Sequence, residues 1–285
     1  MISFLNKFGI QRLYISIQEN KITLKQVKYF YETLSDVNKS KQFLNFWNEF
    51  FYFEALISIA VSIKRNGFNF PVISDHTLVI EDFYYPLLNI EGVVKNSVNI
   101  DKNVILLTGP NMSGKSTLLK AMGACIFLAN IGLAIPAKSA VIPFYKNIFI
   151  FLDHSDDMSN GLSHFTNELE KFKKAVLVSS HSDYSFAIFD ELFQGTNITD
   201  AIKISQYAIR GLTKFKKSTF MISTHLYEIF DNNDSLDKNI LTLYLDSTIE
   251  NDTPVFNYKL KAGVSEMRIG MYLFRKFGLY ELLKH

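Results

Sequence analysis

The segment Gly109-Pro110-Asn111-Met112-Ser113-Gly114-Lys115-Ser116 constrains this chain most, because it directly follows the apolar run Val104-Ile105-Leu106-Leu107 and opens a helical stretch. It fits G-x-x-x-x-G-K-[S/T] in the strand, loop and helix setting that a phosphate loop requires. Glycines let successive backbone N–H groups turn inward around phosphates, and the following helix points its positive end at them. Lys115 then reaches the terminal phosphates of ATP, and Ser116 offers a hydroxyl to Mg2+. A glycine-rich turn that binds nothing is the plainer alternative, and the order of elements weighs against it.

Two further apolar runs end in chemistry-bearing residues. Phe186-Ala187-Ile188-Phe189 leads into Asp190-Glu191, and Phe220-Met221-Ile222-Ser223-Thr224 leads into His225. Strands of a parallel sheet release their carboxyl ends beside the phosphate loop, where ligands gather. Asp190 is expected to hold the metal, mostly through water, and Glu191 to polarise the attacking water as general base. A neutral His225 imidazole could hydrogen-bond the γ-phosphate or that water. Two adjacent acids are equally compatible with a solvated turn, and a lone His with a surface residue; the phosphate loop upstream favours chemistry.

Short β-type runs at Thr77–Ile80, Val104–Thr108, Phe186–Phe189 and Thr219–Ser223, alternating with helical stretches, predict an α/β fold, a mostly parallel sheet with helices on both faces, over residues 74–285. Leu241–Leu245 and Val255–Leu260 flank a polar turn at Glu250-Asn251-Asp252 and predict a hairpin, and a last helix is expected over Ser265–Lys276. Residues 1–73 read differently. From Thr23 to Asn66 there is no Gly or Pro, and Leu44, Trp47, Phe51, Ala55, Ile59 and Ile63 recur at helical spacing. A short helix and then a long one are expected, closed by the turn residues Gly67 to Pro71.

A net charge of +2 falls short of the basic footprint of a stand-alone nucleic-acid binder. The single cysteine, Cys125, excludes an internal disulfide or a cysteine-based zinc cluster and points to a reducing, cytoplasmic setting. No apolar run is read as long enough to span a bilayer, and no signal peptide is read at Met1–Gly9.

The motifs together resemble one family. The run Thr108 to Thr117, with its Gly-Pro-Asn-Met stretch, is similar to the phosphate loop of the MutS family of DNA mismatch repair ATPases. Asp190 to Asn197 resembles the family's acidic strand and loop, Ser223 to Glu228 its histidine segment, Ile135-Pro136-Ala137 its small turn, and Asp156 to Phe165 its signature segment. The resemblance implies a P-loop NTPase of ABC/MutS type, preceded by a remnant of the family's helical lever. It implies Mg2+-dependent hydrolysis of ATP, with Gly109 through Thr117 around the phosphates, and ATP-driven closure of a homodimer or MutS-like heterodimer on DNA. In such a dimer Ser163 would meet the partner's γ-phosphate in trans, a role compatible with a simple helix cap.

Departures are as informative. Gln194 stands where the family usually carries an arginine, His164 replaces a small hydroxyl residue, and Tyr85-Pro86 sits where His-Pro is common. Val93 occupies the place of an aromatic that stacks on adenine, leaving Asn96 to hydrogen-bond the base edge. Arg268-Ile269-Gly270 replaces Ser-aromatic-Gly. The mismatch-reading and clamp domains have no counterpart in residues 1–73, where Phe53-Glu54 is a near form of the Phe-x-Glu wedge expected to pack inside a helix. The chain is therefore not expected to read a mismatch alone, and it fits a fragment, half of a split protein or a short paralogue. An alternative is a nucleotide-gated structural or adaptor ATPase of DNA metabolism without mismatch recognition.

Overall fold

The computed structural model describes residues 9–88, 92–152, 164–181, 184–230, 239–250, 253–265, 267 and 269–284. It divides into two compact units, Met1–Arg65 and Asn66–His285.

The first unit is helical: α1 (Ile10–Gln18), α2 (Leu24–Ser35) and α3, which continues to Asn66 from Val37. Thr23 starts α2 with a reciprocal cap, its hydroxyl accepting from the Gln26 amide while the Gln26 side chain accepts from the Thr23 amide. The helical spacing in α3 predicts a one-sided apolar stripe, but aromatic and aliphatic residues run all round it. Phe51, Tyr52 and Phe53 are each more than half exposed, so the expected packing of Phe53 is absent from this unit. Ser40–Asn66 is also long and apolar enough to cross a membrane by length and composition, with mean hydropathy 1.2 over its best window, contrary to the expectation that no run is. The isolated Glu49 and Glu54 conceal that property when residues are read one at a time.

The second unit holds two sheets. In the larger, β4 (Val104–Thr108), β6 (Asn147–Phe151), β7 (Ser185–Phe189), β8 (Thr219–Thr224), β9 (Ile240–Glu250) and β10 (Thr253–Ala262) run in the order β10-β9-β4-β8-β7-β6. All neighbours are parallel except the β9–β10 hairpin. Strands buried on both faces read as continuous apolar runs, and every residue of β4 and β7 is buried.

Alternate residues of β4 serve two cores. Ile105 and Leu107 pack with Leu119, Met122 and Ile126 of α4 (Lys115–Asn130), on one face. Val104 and Leu106 pack on the other with Ala201, Ala208 and Ile209 of α6 (Ile198–Leu212) and with Ala175 of α5 (His164–His181). Asn197 caps α6 by accepting from the Asp200 amide at 2.9 Å.

Of a second, four-stranded sheet only the Thr77–Ile80 run was legible in the sequence: β1 (Val72–Ser74), β5 (Ser139–Pro143), β2 (Leu78–Phe83) and β3 (Asn96–Ile100) stand in the order β1-β5-β2-β3. Because β1 pairs with β5, and Asn69 bridges Ile135, the compact unit begins at Asn66, ahead of the expected boundary after residue 73. The chain closes with α7 (Ile269–Lys276), shorter than the expected Ser265–Lys276, and α8 (Leu279–Leu282).

Candidate functional site

Register decides what meets at the edge of the larger sheet. Thr108 at the end of β4 lies opposite Thr224 of β8, and Ile222 of β8 lies opposite Phe189 of β7. The phosphate loop, Asp190-Glu191 and His225 therefore leave three adjoining strands at the same edge. Lys115 Nζ stands 3.7 Å from Glu191 Oε1, and His225 Nδ1 stands 3.5 Å from the same oxygen. The residues expected to converge are brought together.

Lys115 donates to the carbonyl oxygens of Gly109 at 2.8 Å and Pro110 at 3.2 Å, so its ammonium is folded into the loop. Burial lowers its pKa, opposed by the charges of Glu191 and Asp190. Gly109 is sterically required: at φ 147 a Cβ there would sit 2.8 Å from Ser113 Oγ, itself buried without a partner. Met112 at φ 71 and Glu191 at φ 56 occupy left-handed backbone that non-glycine residues rarely adopt, a form of strain that gathers at binding sites.

Glu191 is tied from several sides. The contact with His225 lowers its pKa most, burial opposes, and the Gln194 amide donor and the charges of His225 and Lys115 add to the lowering, to about 2. Gln194, a departure from the expected arginine, thus donates to the expected general base. Ser223 was not anticipated: its hydroxyl accepts from the Glu191 amide at 2.9 Å and donates to Asp190 Oδ1, locking the two acids to β8. Cys125 is buried and its thiol pushed up to about 12, which removes it as a nucleophile.

From this edge a cavity of about 690 Å³ runs between the loop and the second sheet, lined by Tyr85, Val93, Met112, Thr117, Glu191 and Tyr258 among others. That size suits a small-molecule ligand. Its walls suit ATP: Gly114, Lys115 and the N-terminus of α4 at one end, and apolar and aromatic side chains such as Phe83, Tyr85 and Val93 elsewhere. Ser116, exposed, and Asp190, buried, are hard oxygen donors of the kind that Mg2+ takes; among the described residues there is no cluster of three or more His, Cys, Asp or Glu.

Asn96 lines the cavity, but its amide is committed elsewhere: Nδ2 donates to the Tyr258 carbonyl at 3.0 Å, and Oδ1 accepts from the Leu260 amide at 2.8 Å. These two bonds fix the orientation of the amide and leave it one N–H and one lone pair beyond them. Tyr258, unremarked in the sequence, puts an aromatic ring on the cavity wall beside the phosphate loop, where a Cβ on Gly114 would lie 3.1 Å from it. Residues 156–163 of the signature segment, Ser163 among them, lie outside the described residues.

Residues 105–282 match the family model described as MutS domain V. The chain belongs to the MutS family. The DNA mismatch repair protein MutS of Shouchella clausii is 28% identical over 235 residues, covering 79% of this chain and 26% of that protein. MutS of Listeria monocytogenes serovar 1/2a is 28% identical over 227 residues, with 77% and 26% covered. MutS of Bacillus cereus strain 03BB102 is 27% identical over 262 residues, with 90% and 27% covered. The chain spans about a quarter of the length of these curated MutS relatives. The MutS domain V match covers β4 from Ile105 on, the loop, Asp190, Glu191, His225 and Tyr258, and begins after Asn96.

Proposed function

We propose that this chain is the ATP-binding and ATP-hydrolysing part of a MutS-like machine, using Mg2+ and acting through dimer closure in DNA mismatch repair or related DNA handling. The observation that carries the proposal is the meeting of Lys115, Glu191 and His225 within 4 Å contacts at the mouth of the cavity.

In this scheme Gly109 through Thr117 cradle the triphosphate and Lys115 turns from the loop carbonyls to the terminal phosphates. Ser116 and Asp190 hold Mg2+, which screens the charge of the phosphates when bound. The base sits between Tyr258 and the second sheet. Glu191, released from its ties, orients and deprotonates water, while His225 contacts the γ-phosphate. The hydrogen bond from Gln194 and the contact with His225 hold Glu191 in its charged form, and in this scheme ATP binding loosens them so that the carboxylate faces the water. Ser163 is assigned to the partner's site, DNA contact to the assembled dimer with a further chain where needed, and the setting to the cytoplasm, on the strength of the MutS relatives.

The test joins binding, turnover and mass. Lys115→Ala is expected to weaken ATP binding, and Glu191→Gln to keep binding while phosphate release falls about 10²- to 10⁴-fold. Glu191→Gln with ATP and Mg2+ is expected to double in molar mass. Undiminished turnover by Glu191→Gln refutes the base assignment, and an unchanged mass refutes closure. Preference for mismatched over homoduplex DNA separates mismatch reading from a structural ATPase role.

A further inference from the structure

We propose that Asn96 is a positioning residue: a two-point clip between the two sheets that holds the β10 bulge so that the Tyr258 ring forms a wall of the base pocket. The inference rests on the ATP reading above and assigns to Asn96 a task other than contact with the base.

Four observations meet at this point. The β9–β10 ladder loses register between Phe256 and Leu260, so the segment carrying Tyr258 lacks regular ladder partners. Tyr258 sits at φ 54, a left-handed conformation that a side chain adopts only when its surroundings enforce it. Asn96, at the start of β3 and only 8% exposed, supplies what the bulge leaves open, bonding the Tyr258 carbonyl and the Leu260 amide with its two amide atoms. The Tyr258 ring is thereby set against Gly114 of the phosphate loop, where a Cβ would approach to 3.1 Å. An exposed second tie runs alongside, from Lys259 Nζ to the Lys95 carbonyl at 2.8 Å.

β3 belongs to the four-stranded sheet and β10 to the six-stranded one, so the clip spans the cavity's two walls. No other residue type donates and accepts at that spacing from so short a side chain except by changing length, as Gln does. Loss of the clip frees the bulge and lets Tyr258 leave the pocket while the phosphate loop stays whole.

The experiment uses the full chain with Asn96→Ala, Asn96→Asp, Tyr258→Ala and the Asn96→Ala/Tyr258→Ala double variant. Without nucleotide, hydrogen exchange at the Leu260 amide is expected to accelerate at least tenfold in Asn96→Ala. Asn96→Asp, which keeps the acceptor and loses the donor, is expected to retain that protection, and it serves as the variant of record if Asn96→Ala does not fold. ATP affinity is expected to fall about tenfold in Asn96→Ala, Asn96→Asp and Tyr258→Ala, seen as a raised KM with kcat within twofold, while inorganic tripolyphosphate binds unchanged. The double variant is expected to be no weaker than Tyr258→Ala, because the clip acts through the ring. Additive losses, or tripolyphosphate affinity falling in step with ATP, overturn the proposal. A wild-type chain that ignores ATP defeats the proposed function instead, and the exchange measurement then judges the clip by itself.

Discussion

Glu191 shows how a single residue is held ready. Its hydrogen bond to His225, opposed by burial and aided by Gln194 and Lys115, takes its pKa from 4.5 to about 2. A group whose pKa is lower folded than unfolded favours the folded state when ionised, so its stabilisation is complete above about pH 4.5 and disappears as pH falls toward 2. Denaturant unfolding of the wild type and Glu191→Gln at intervals between pH 6 and 3 should show a difference that shrinks on acidification. A constant difference would show that Glu191 gains nothing from its partners. Gly195, next to Gln194, presents a steric case. A Cβ there would lie 2.6 Å from the Phe165 amide nitrogen at the start of α5, a backbone atom that cannot swing away. Gly195→Ala should cost about 1–3 kcal/mol, read as a lower denaturant midpoint at unchanged m-value.

At the scale of elements, what could be read in advance was what short-range pattern dictates. Val104–Thr108 appears as a strand at its expected bounds, and the strands before Asp190 and His225 shift by one residue at most, because buried parallel strands are unbroken apolar runs with sharp ends. Lys115, Asp190, Glu191 and His225 were legible for the same reason: each closes or follows such a run. Of the second sheet only the Thr77–Ile80 run was, since β1 has three residues and finds β5 across a long stretch of chain. Ser223 and Tyr258 escaped because their roles arise from register and from a bulge, neither of which leaves a local signature. The same contrast predicts energetics. Ile105→Ala, in a strand with both faces covered, should cost about 2–5 kcal/mol. Tyr52→Ala, on a helix face 65% exposed, should stay within about 0.5 kcal/mol by the same denaturant measurement.

At the scale of the whole molecule, the two units differ in what can sustain them. Every buried apolar side chain among the described residues, from Leu78 to Ile269, belongs to the second unit, as does the entire lining of the cavity from Phe83 to Tyr258. A unit with its own core has the means to fold alone. Helices whose apolar residues remain exposed gain little from tertiary packing, the main source of helical stability in water. Residues 66–285, expressed without the first unit, should therefore unfold in one cooperative transition, with a midpoint matching the final transition of the full chain. Because a ligand that binds only the folded state stabilises it by mass action, ATP with Mg2+ at a hundred times its Kd should add about 2.7 kcal/mol to that fragment and to the full chain alike. A fragment that is unfolded would show that the second unit depends on the helices to fold, and one that folds but gains nothing from ATP while the full chain does would show that the helices take part in binding ATP, so that the division at Arg65 is not a functional one.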